Sequence, residues 1–394
     1  MEDMKSIVGK SQKEIIDIIR RIISAQSFSL NEKSGIKVVE EIMKKIGFEE
    51  IKISSVGCIM GRIGKGEKKI LFDAHVDTVG IGDIKNWSFD PFKGKVDDDY
   101  IYGRGAAENK GSLGAMLSAA NIIRKNGFGK NVSVYVIAST QEEDAEGVLI
   151  AESLKEFKLK PDFVCLGKFS DLKLNRGHRG RMVIEAEFTG KMSHASTPEL
   201  GDNALYKAAM FITAVEKLNS KLKKDKSLGK GTVSATVIAT GGNSVNRIPS
   251  KTTVKLDRRL TNGETIELAL KQLKKIAPRD TKICCEKYEF ATYNGKKVST
   301  IKYFPAFLTP ENHMSVKLGE KVYQKVFDKK VKAGVWSVSS NGSGTYGFLN
   351  IPTIGLGAGD AQFVHQTNEK VRISDILKAV EFYCTLVNEF SNLK

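Results

Sequence analysis

The chain of 394 residues is 41% hydrophobic, which is enough to bury the core of one large domain or two ordinary domains. Its 62 lysine and arginine residues exceed the 46 acidic residues and give a formal net charge of +16 at pH 7. The basic residues are spread along the chain without an arginine-rich block or zinc-finger spacing. We therefore expect no nucleic acid partner, and the charge suits small anionic substrates equally well.

The first 180 residues alternate between helical and strand-like patterns, which predicts an α/β sheet with helices on both faces. In the first helix, Ser11 and Glu14 form a capping-box pattern ahead of Ile15. Helices are predicted near 11–25, 35–46, 110–126 and 148–157, and strands near 50–55, 58–63, 69–74, 131–139 and 162–167.

From about residue 181 the order becomes strand, helix, strand, strand, helix, strand, which is typical of a split βαβ, α+β domain. The predicted elements are strands in 182–190, 232–242, 254–260 and 282–290, with helices near 203–220 and 264–276. After about 297 the α/β pattern returns, with a helix near 313–327, a strand at 351–356 and a helix near 372–390. The sequence thus predicts an α/β domain, 1–180 and 297–394, interrupted by an α+β domain, 181–296.

The cellular compartment follows from what the sequence lacks. The N-terminal segment has no apolar stretch of a secretory signal, and no apolar run approaches the ~20 residues of a membrane helix. None of the five cysteines forms a CxxC pair, and Cys284 and Cys285 should face opposite sides of a strand. A reduced, cytoplasmic protein without a membrane partner is the simplest interpretation.

Histidines and carboxylates follow several predicted strand ends. His75 and Asp77 come directly after the apolar strand of ILFDAHVDTVG, and Asp77 is placed to orient a ligating His75. Glu108 precedes a helix in YGRGAAENKGSLGAML and occupies the third glycine position of a near-GxGxxG pattern, where it would repel a phosphate. Each pattern is also compatible with an ordinary structural pair or helix cap.

Two further strand ends complete the set. VYVIASTQEEDAEG runs from a buried strand into Glu142 and Glu143, whose repulsion a bound cation would relieve. GLGAGDAQFVHQTNE places His365 after a glycine-rich loop. Imidazole and carboxylate groups suit Zn²⁺ or a similar divalent ion, and a spare glutamate beside them suits water activation.

In this order, HVDTV, YGRGAA..KG, EED and the C-terminal histidine resemble the signature of the M20 family of metallopeptidases and amidohydrolases. The resemblance covers nearly the whole chain. It is closest to the YgeY-like hydrolases, through NRGHRGRM (175–182), SHAS (193–196), LGDNALYK (200–207) and SSNG (339–342).

The resemblance implies a zinc-peptidase-like catalytic domain with an inserted ferredoxin-like lid and dimerisation domain, and hence a homodimer. It implies a two-zinc site with Glu108 as the bridging ligand, where the family usually has Asp, and with His75, Glu143 and His365 as further ligands. Glu142 matches the general base. In the inserted domain, His194 matches an oxyanion donor, and Asn246 and Arg259 match substrate-binding positions. Gly357 lies in a loop that matches a wall of the substrate pocket.

One expected ligand is replaced. After the strand that ends VCLG, the family usually reads G-E-P-[ST] or G-D-P-[ST], but this chain reads Gly167-Lys168-Phe169-Ser170. An ammonium at about 4 Å from a dication costs about 8 kcal/mol at an effective dielectric constant of about 20. Only His75 and Glu108 would remain for that metal, fewer than the three protein ligands of a typical catalytic zinc site.

Four interpretations of Lys168 follow. The chain could hold one metal, through Glu108, Glu143 and His365, with Lys168 supplying the charge of the other and a donor to an oxyanion. Lys168 could swing out and leave a weaker second metal. The chain could be an inactive relative that binds a small molecule or acts as a subunit. Lys168 could itself be reactive, either neutral or carbamylated.

We therefore expect a metal-dependent hydrolase of an amide, peptide or ureido C–N bond. The expected substrate is a small N-acyl, N-carbamoyl or peptide compound that carries a carboxylate. The expected metal is Zn²⁺, one or two per chain, with Mn²⁺ or Co²⁺ as alternatives. The alternative function is that of a catalytically inactive small-molecule binder.

Overall fold

A computed structural model describes residues 3–242 and 244–393 of the chain. The chain divides into two compact units. We call them the large unit (Met1–His178, Phe290–Val298 and Leu308–Lys394) and the inserted unit (Arg179–Glu289 and Ser299–Phe307). The predicted domain limits, 180/181 and 296/297, stay a prediction; the chain first changes unit after His178.

The described residues form helices and strands that we number in chain order. The helices are α1 (Met4–Lys10), α2 (Gln12–Ser24), α3 (Lys33–Ile46), α4 (Gly111–Asn126), α5 (Val148–Glu156), α6 (Ala204–Ser220), α7 (Ile266–Ile276), α8 (Met314–Phe327) and α9 (Ile373–Ser391).

The strands are longest in the two main sheets. They are β1 (Glu50–Ile53), β2 (Ile59–Ile63), β3 (Lys68–His75), β4 (Tyr100–Tyr102), β5 (Val132–Ser139), β6 (Phe163–Leu166), β7 (Asn175–His178), β8 (Gly180–Thr189), β9 (Lys224–Asp225), β10 (Gly229–Lys230), β11 (Thr232–Thr240), β12 (Lys251–Leu260), β13 (Lys282–Cys285), β14 (Lys287–Ala291), β15 (Lys297–Ile301), β16 (Tyr303–Phe304), β17 (Phe307–Leu308), β18 (Gly334–Trp336), β19 (Thr353–Gly355) and β20 (Lys370–Arg372).

The central sheet of the large unit has the strand order β1-β2-β5-β3-β6-β19-β7. β5, β3, β6 and β19 run parallel to one another, whereas β1 and β2 are antiparallel additions. β6 is buried along its whole length and β3 along most of it, as expected for parallel strands covered on both faces. α4 packs against β3 and β5, and α9 and α2 pack against α4. The predicted α/β architecture is confirmed.

The inserted unit has the strand order β11-β12-β8-β13, with every neighbouring pair antiparallel. α6 lies between β8 and β11 in the chain, and α7 lies between β12 and β13, which gives a ferredoxin-like topology. β8 alternates buried and partly buried residues, so its inward side chains, including Ile184 and Phe188, form one core with α6 and α7. The predicted α+β insertion is confirmed as a fold.

Two local predictions were wrong. The predicted strand 282–290 is two strands, β13 and β14, because Glu286 leaves the ladder. The capping box is not formed: Ser11 has helical angles (φ −90°, ψ −1°) between α1 and α2 and makes no side-chain cap. Its hydroxyl instead donates to the Ile7 carbonyl at 2.9 Å. Among the described residues, no helix is long and apolar enough to cross a membrane.

Candidate active site

The ends of three parallel strands bring the predicted catalytic residues of the large unit together. His75 is the last residue of β3, Glu142 and Glu143 follow the end of β5, and Lys168 follows the end of β6. In the sheet, His75 pairs with Ser139 of β5, so the strand ends are level. The carboxyl ends of parallel strands meet at one sheet edge, and this is where such sites form.

The first group of charged side chains surrounds Lys168. The Lys168 ammonium is paired with a carboxylate oxygen of Glu108 and lies 3.1 Å from Glu142 Oε1 and 3.3 Å from Oε2. His75 Nε2 lies 3.4 Å from Glu142 Oε2 and 3.7 Å from Glu108 Oε1. All four side chains are buried. The ammonium therefore lies between the carboxylates where a cation would otherwise bind.

The second group consists of Glu108, Glu143 and His365. His365 Nε2 lies 3.2 Å from Glu108 Oε2 and 3.0 Å from Glu143 Oε1. One ligand atom from each of the three residues lies within 4.8 Å of the others. In the described part of the chain, no lysine forms a salt bridge with Glu143 or His365. Two carboxylates and an imidazole are a suitable ligand set for a divalent ion.

Charge complementarity fixes the ionisation of this cluster. Burial opposes the charged form of Glu108, but the Lys168 ammonium and both histidines hold its pKa well below its usual range. Burial likewise opposes charge on Lys168, yet Glu108 and Glu142 raise its pKa well above the usual value. Hydrogen bonds to Glu108 and Glu143 raise the pKa of His365 to about 10. The site thus favours a charged ammonium and not a neutral amine at Lys168.

Asp77 supports the acidic turn more directly than it supports His75. His75 Nδ1 lies 3.0 Å from the backbone oxygen of Asp77 and 3.5 Å from its carboxylate, so the expected carboxylate–histidine bond is not the closer contact. The Asp77 carboxylate accepts the backbone N–H groups of Glu142 at 3.1 Å and Glu143 at 3.2 Å. It therefore fixes the turn from which both glutamates project.

A buried polar network beneath the site escaped sequence reasoning. Asp73 precedes His75 by two residues and accepts hydrogen bonds from Ser139 Oγ at 2.8 Å and Asn341 Nδ2 at 2.9 Å. Asn341 also accepts the Gly147 N–H at 2.9 Å. The sequence offers one sign of this network, since Asp73 is a charged residue inside the otherwise apolar strand ILFDAH. The network places the SSNG segment against the strand that carries His75.

A small polar cavity adjoins this network. Its walls include side chains from both the Lys168 group and the buried network: Asp73, His75, Asn109, Glu142, Lys168 and Asn341. It is therefore continuous with the charged cluster at the sheet edge.

Gly357 belongs to the loop after β19 and packs against the segment that carries Lys168. A Cβ atom at Gly357 would lie 2.4 Å from the Lys168 carbonyl oxygen, so a larger residue would displace one of the two segments. Its backbone N–H donates a hydrogen bond to Ser170 Oγ at 3.0 Å. The predicted contact of Gly357 with substrate stays a prediction, beside this role in packing.

The three predicted binding residues of the inserted unit lie in two places. His194 is exposed, and its Nδ1 lies 2.7 Å from Ser196 Oγ. Asn246 lies beside His194: the N–H of the next residue, Ala195, donates to the Asn246 carbonyl at 2.8 Å. Arg259 lies on β12 and is paired with Asp257 at 2.7 Å. Their roles toward a substrate stay predictions.

Sequence comparison identifies the family to which this fold and site belong. The family model described as Peptidase family M20/M25/M40 matches residues 71–389. The chain belongs to this family.

The M20 relatives extend over nearly the whole chain. The uncharacterized protein YgeY of Escherichia coli (strain K12) is 33% identical over 378 residues, which cover 95% of this chain and 94% of that protein. Succinyl-diaminopimelate desuccinylase of Wolbachia pipientis wMel is 27% identical over 392 residues, covering 96% and 93%. An M20 metallo-carboxypeptidase structure from Sulfolobus solfataricus matches with a TM-score of 0.72 at 21% identity, covering 100% of both chains, and supports the fold.

Proposed function

We propose that the chain is a metal-dependent hydrolase that cleaves an amide, peptide or ureido C–N bond in a small carboxylate-bearing substrate. We further propose that it binds one divalent ion, through Glu108, Glu143 and His365, and that Lys168 replaces a second ion. The observation that carries this proposal is the division of the cluster, in which Glu108 faces Lys168 on one side and His365 on the other.

The two halves of the cluster differ in their fit to a metal. Both His75, Glu108 and Glu142 and Glu108, Glu143 and His365 offer three ligand atoms within 4.8 Å of one another, the number of protein ligands in a typical catalytic zinc site, so the difference lies in Lys168. In the other half, the Lys168 ammonium bonds to both carboxylates that would join His75 as ligands. A dication there would meet a positive charge at hydrogen-bond distance, so that half does not fit a metal while Lys168 points inward.

The chain's own residues can carry the proton and the charge of hydrolysis. A divalent ion, when bound, supplies Lewis acidity toward a carbonyl and lowers the pKa of a bound water. Glu142 takes a proton from the water that attacks the carbonyl carbon and delivers it to the nitrogen as the C–N bond breaks. Lys168 lies 3.1 Å from Glu142 and has a third N–H with which to stabilise the oxyanion.

The remaining predicted residues would act on the substrate. We assign His194 as a second oxyanion donor, and Asn246 and Arg259 as groups that hold the substrate and its carboxylate. Gly357 would form part of the pocket wall. The desuccinylase name of one relative supports an N-acyl substrate, and the metallo-carboxypeptidase supports a peptide, so both classes belong in an assay.

The proposed assembly is a homodimer formed through the inserted unit in the cytoplasm. β11 is an edge strand of its sheet, and Val237 and Ile238 on it are 50% and 46% exposed. Tyr206 and Met210 on α6, which packs against β11, are 68% and 62% exposed. An exposed edge strand beside apolar helix residues is suited to pairing with a second copy of the same surface.

The test combines metal analysis with an activity panel. Purified protein equilibrated with Zn²⁺, Mn²⁺ or Co²⁺ should retain about one ion per chain and hydrolyse at least one compound among N-acyl, N-carbamoyl and dipeptide substrates. Lys168→Glu should raise the metal content toward two ions per chain. Lys173→Glu, with the same charge change on an exposed side chain of the same segment, should leave it unchanged. Two ions in the wild-type protein, or none, would contradict the proposal.

The alternative function is a catalytically inactive small-molecule binder. The pairing of Lys168 with both oxygens of Glu142 favours it, because the ammonium then occupies the carboxylate that would accept the proton of the attacking water. Glu142→Gln separates the two functions. It should abolish turnover in a hydrolase but leave ligand-induced thermal stabilisation intact in a binder. Asp144→Asn, on the exposed part of the same turn, is the matched control.

A further inference from the structure

We propose that Glu369 is a positioning residue for the metal centre, and that it fixes the turn carrying Glu108 against the segment carrying His365. The inference rests on the proposed metal site of Glu108, Glu143 and His365. Glu369 itself touches none of the proposed ligand atoms; it acts on the backbone that presents them.

The Glu369 carboxylate accepts hydrogen bonds from four donors of a single turn. Glu369 Oε2 accepts the Arg104 guanidinium at 2.6 Å and the Gly105 N–H at 3.0 Å. Oε1 accepts the Ala107 N–H at 2.9 Å and the N–H of Glu108 itself at 3.0 Å. The Glu369 side chain is fully buried, so these bonds are protected from water and each is costly to lose.

The turn needs such an anchor because its backbone is irregular. Within the segment Ala106–Lys110, Glu108 has extended angles (φ −139°, ψ 104°), and Gly105 before it has a left-handed φ of 89°. These N–H groups lie just before α4, and the first N–H groups of a helix have no partner within it, so here a carboxylate satisfies them. The direction in which Glu108 points is therefore set by where Glu369 lies.

The same segment also carries the imidazole ligand. Glu369 follows His365 by four residues, and its own carbonyl accepts the Gly103 N–H at 3.0 Å. Directly afterwards, β20 pairs with β4, which leads into the Glu108 turn. Two segments separated by more than 250 residues of sequence are thus joined at side chain and backbone, next to the two ligands they supply. His365 itself has a left-handed φ of 60°, a conformation that needs support from its surroundings.

The test measures metal affinity and not activity alone. Glu369→Gln keeps the size of the side chain but replaces one acceptor oxygen by an amide N–H₂, which cannot accept from the turn. We expect the affinity for Co²⁺ alone, titrated by its visible absorption, to fall about 10- to 100-fold, as for other outer-shell partners of metal ligands. The absorption spectrum of bound Co²⁺ should also change, because the ligand geometry changes.

A matched control separates positioning from general stability. Glu264 in the inserted unit is also buried, and it accepts Arg258 at 2.6 Å and the Thr261 N–H at 2.8 Å. Glu264→Gln should lower thermal stability without changing Co²⁺ affinity or spectrum. If Glu369→Gln does not fold, Glu369→Asp retains the charge for Arg104 but withdraws the oxygens from the turn, and the same loss of affinity is expected.

The outcomes distinguish this inference from the proposed function. Wild-type protein that binds no Co²⁺ overturns both. If wild-type protein binds Co²⁺ and the Glu369 variants bind it equally well, or if Glu264→Gln weakens binding to the same extent, the positioning role of Glu369 is wrong and the proposed function stands.

Discussion

Lys168 stands where the resemblance to the M20 family leads us to expect a carboxylate, and its pairing has consequences for stability. The ammonium neutralises Glu108 and Glu142 in a buried site. Removing one partner of a buried ion pair leaves the other charged and unpaired, which costs about 3–5 kcal/mol. We therefore expect Lys168→Met to lower the free energy of unfolding by about this amount in the presence of a chelator.

Urea denaturation measures this effect, and Zn²⁺ provides an internal check. Zn²⁺ should stabilise Lys168→Met more than it stabilises the wild-type protein, because the freed carboxylates can then bind it. Lys173→Met, which removes an exposed ammonium, should denature like the wild type. A Lys168→Met protein as stable as wild type without metal would mean that Lys168 does not neutralise this pair in solution.

Glu32 provides a pH-dependent prediction outside the ligand set. Its Oε1 accepts the backbone N–H groups of Leu30 and Gln141, both at 3.1 Å, so it links the start of α3 to the acidic turn. Burial, and secondarily the charge of Asp77, raise the pKa of Glu32 from 4.5 to about 7. Between these two values the folded chain holds a proton that the unfolded chain has released.

Stability should therefore fall as pH rises from about 4.5 to about 7, by about 3 kcal/mol for this group. Glu32→Gln keeps the acceptor oxygen and cannot ionise. It should match the wild type near pH 4.5 and become about 3 kcal/mol more stable by pH 8. Urea denaturation at both pH values tests this, with the exposed Glu67→Gln as the control. Equal stabilities of Glu32→Gln and wild type at pH 8 would contradict a raised pKa.

At the scale of secondary-structure elements, the helix starts illustrate which local patterns determine structure. Asn203 precedes α6, and its side chain accepts the Leu205 N–H at 2.9 Å, which satisfies one of the free donors at the start of the helix. Ser11 has the capping-box sequence but donates to Ile7, because α1 runs directly into α2 and leaves no free helix start. Sequence alone does not reveal that continuation.

We expect Asn203→Ala to reduce the free energy of unfolding by about 1 kcal/mol. Ser11→Ala should change it by no more than about 0.5 kcal/mol. Chemical denaturation followed by circular dichroism compares the two variants directly. If Ser11→Ala lost more free energy of unfolding than Asn203→Ala, the capping box that the sequence predicts would be formed after all.

The longer elements could be predicted because their patterns are local. α3, α4 and α8 begin and end within two residues of prediction, since each has a helical apolar repeat over several turns. β9, β10 and β16 have two residues each, too few for any periodicity. The break between β13 and β14 depends on Glu286, which pairs with Lys255 on β12 and with Lys302 between β15 and β16. Such tertiary contacts do not appear in the local pattern.

The residues of the candidate site also differ in whether the sequence could predict them. His75, Glu142 and His365 follow strand ends and have few chemical alternatives, so they could be singled out. Asn341 and Glu369 could not, because each bonds to a segment far away in sequence: Asn341 to Asp73 on β3 and Glu369 to the turn of Glu108. Lys168 was found only as a departure from a family pattern, and its two carboxylate partners follow from the fold.

At the scale of the whole molecule, the proposed homodimer depends on the edge of the inserted unit's sheet. Within the described part of the chain, β11 pairs on one side only, with β12, and Val237 is half exposed at its centre. Natural sheets often place lysine on an edge strand to prevent pairing with another chain. Val237→Lys should therefore convert a dimer to a monomer if two copies pair along this edge.

Light scattering coupled to size exclusion measures the mass in solution. Leu268→Lys provides the control, because Leu268 lies on α7 of the same unit, is 41% exposed and receives the same substitution. We expect a dimer of wild-type and Leu268→Lys chains and a monomer of Val237→Lys at micromolar concentration. Unchanged circular dichroism would establish that Val237→Lys acts on association and not on folding. If Val237→Lys is still a dimer, the two copies make contact elsewhere. If the wild-type protein is a monomer, the proposed assembly is wrong, because the apolar edge strand is then stable in solution without a partner.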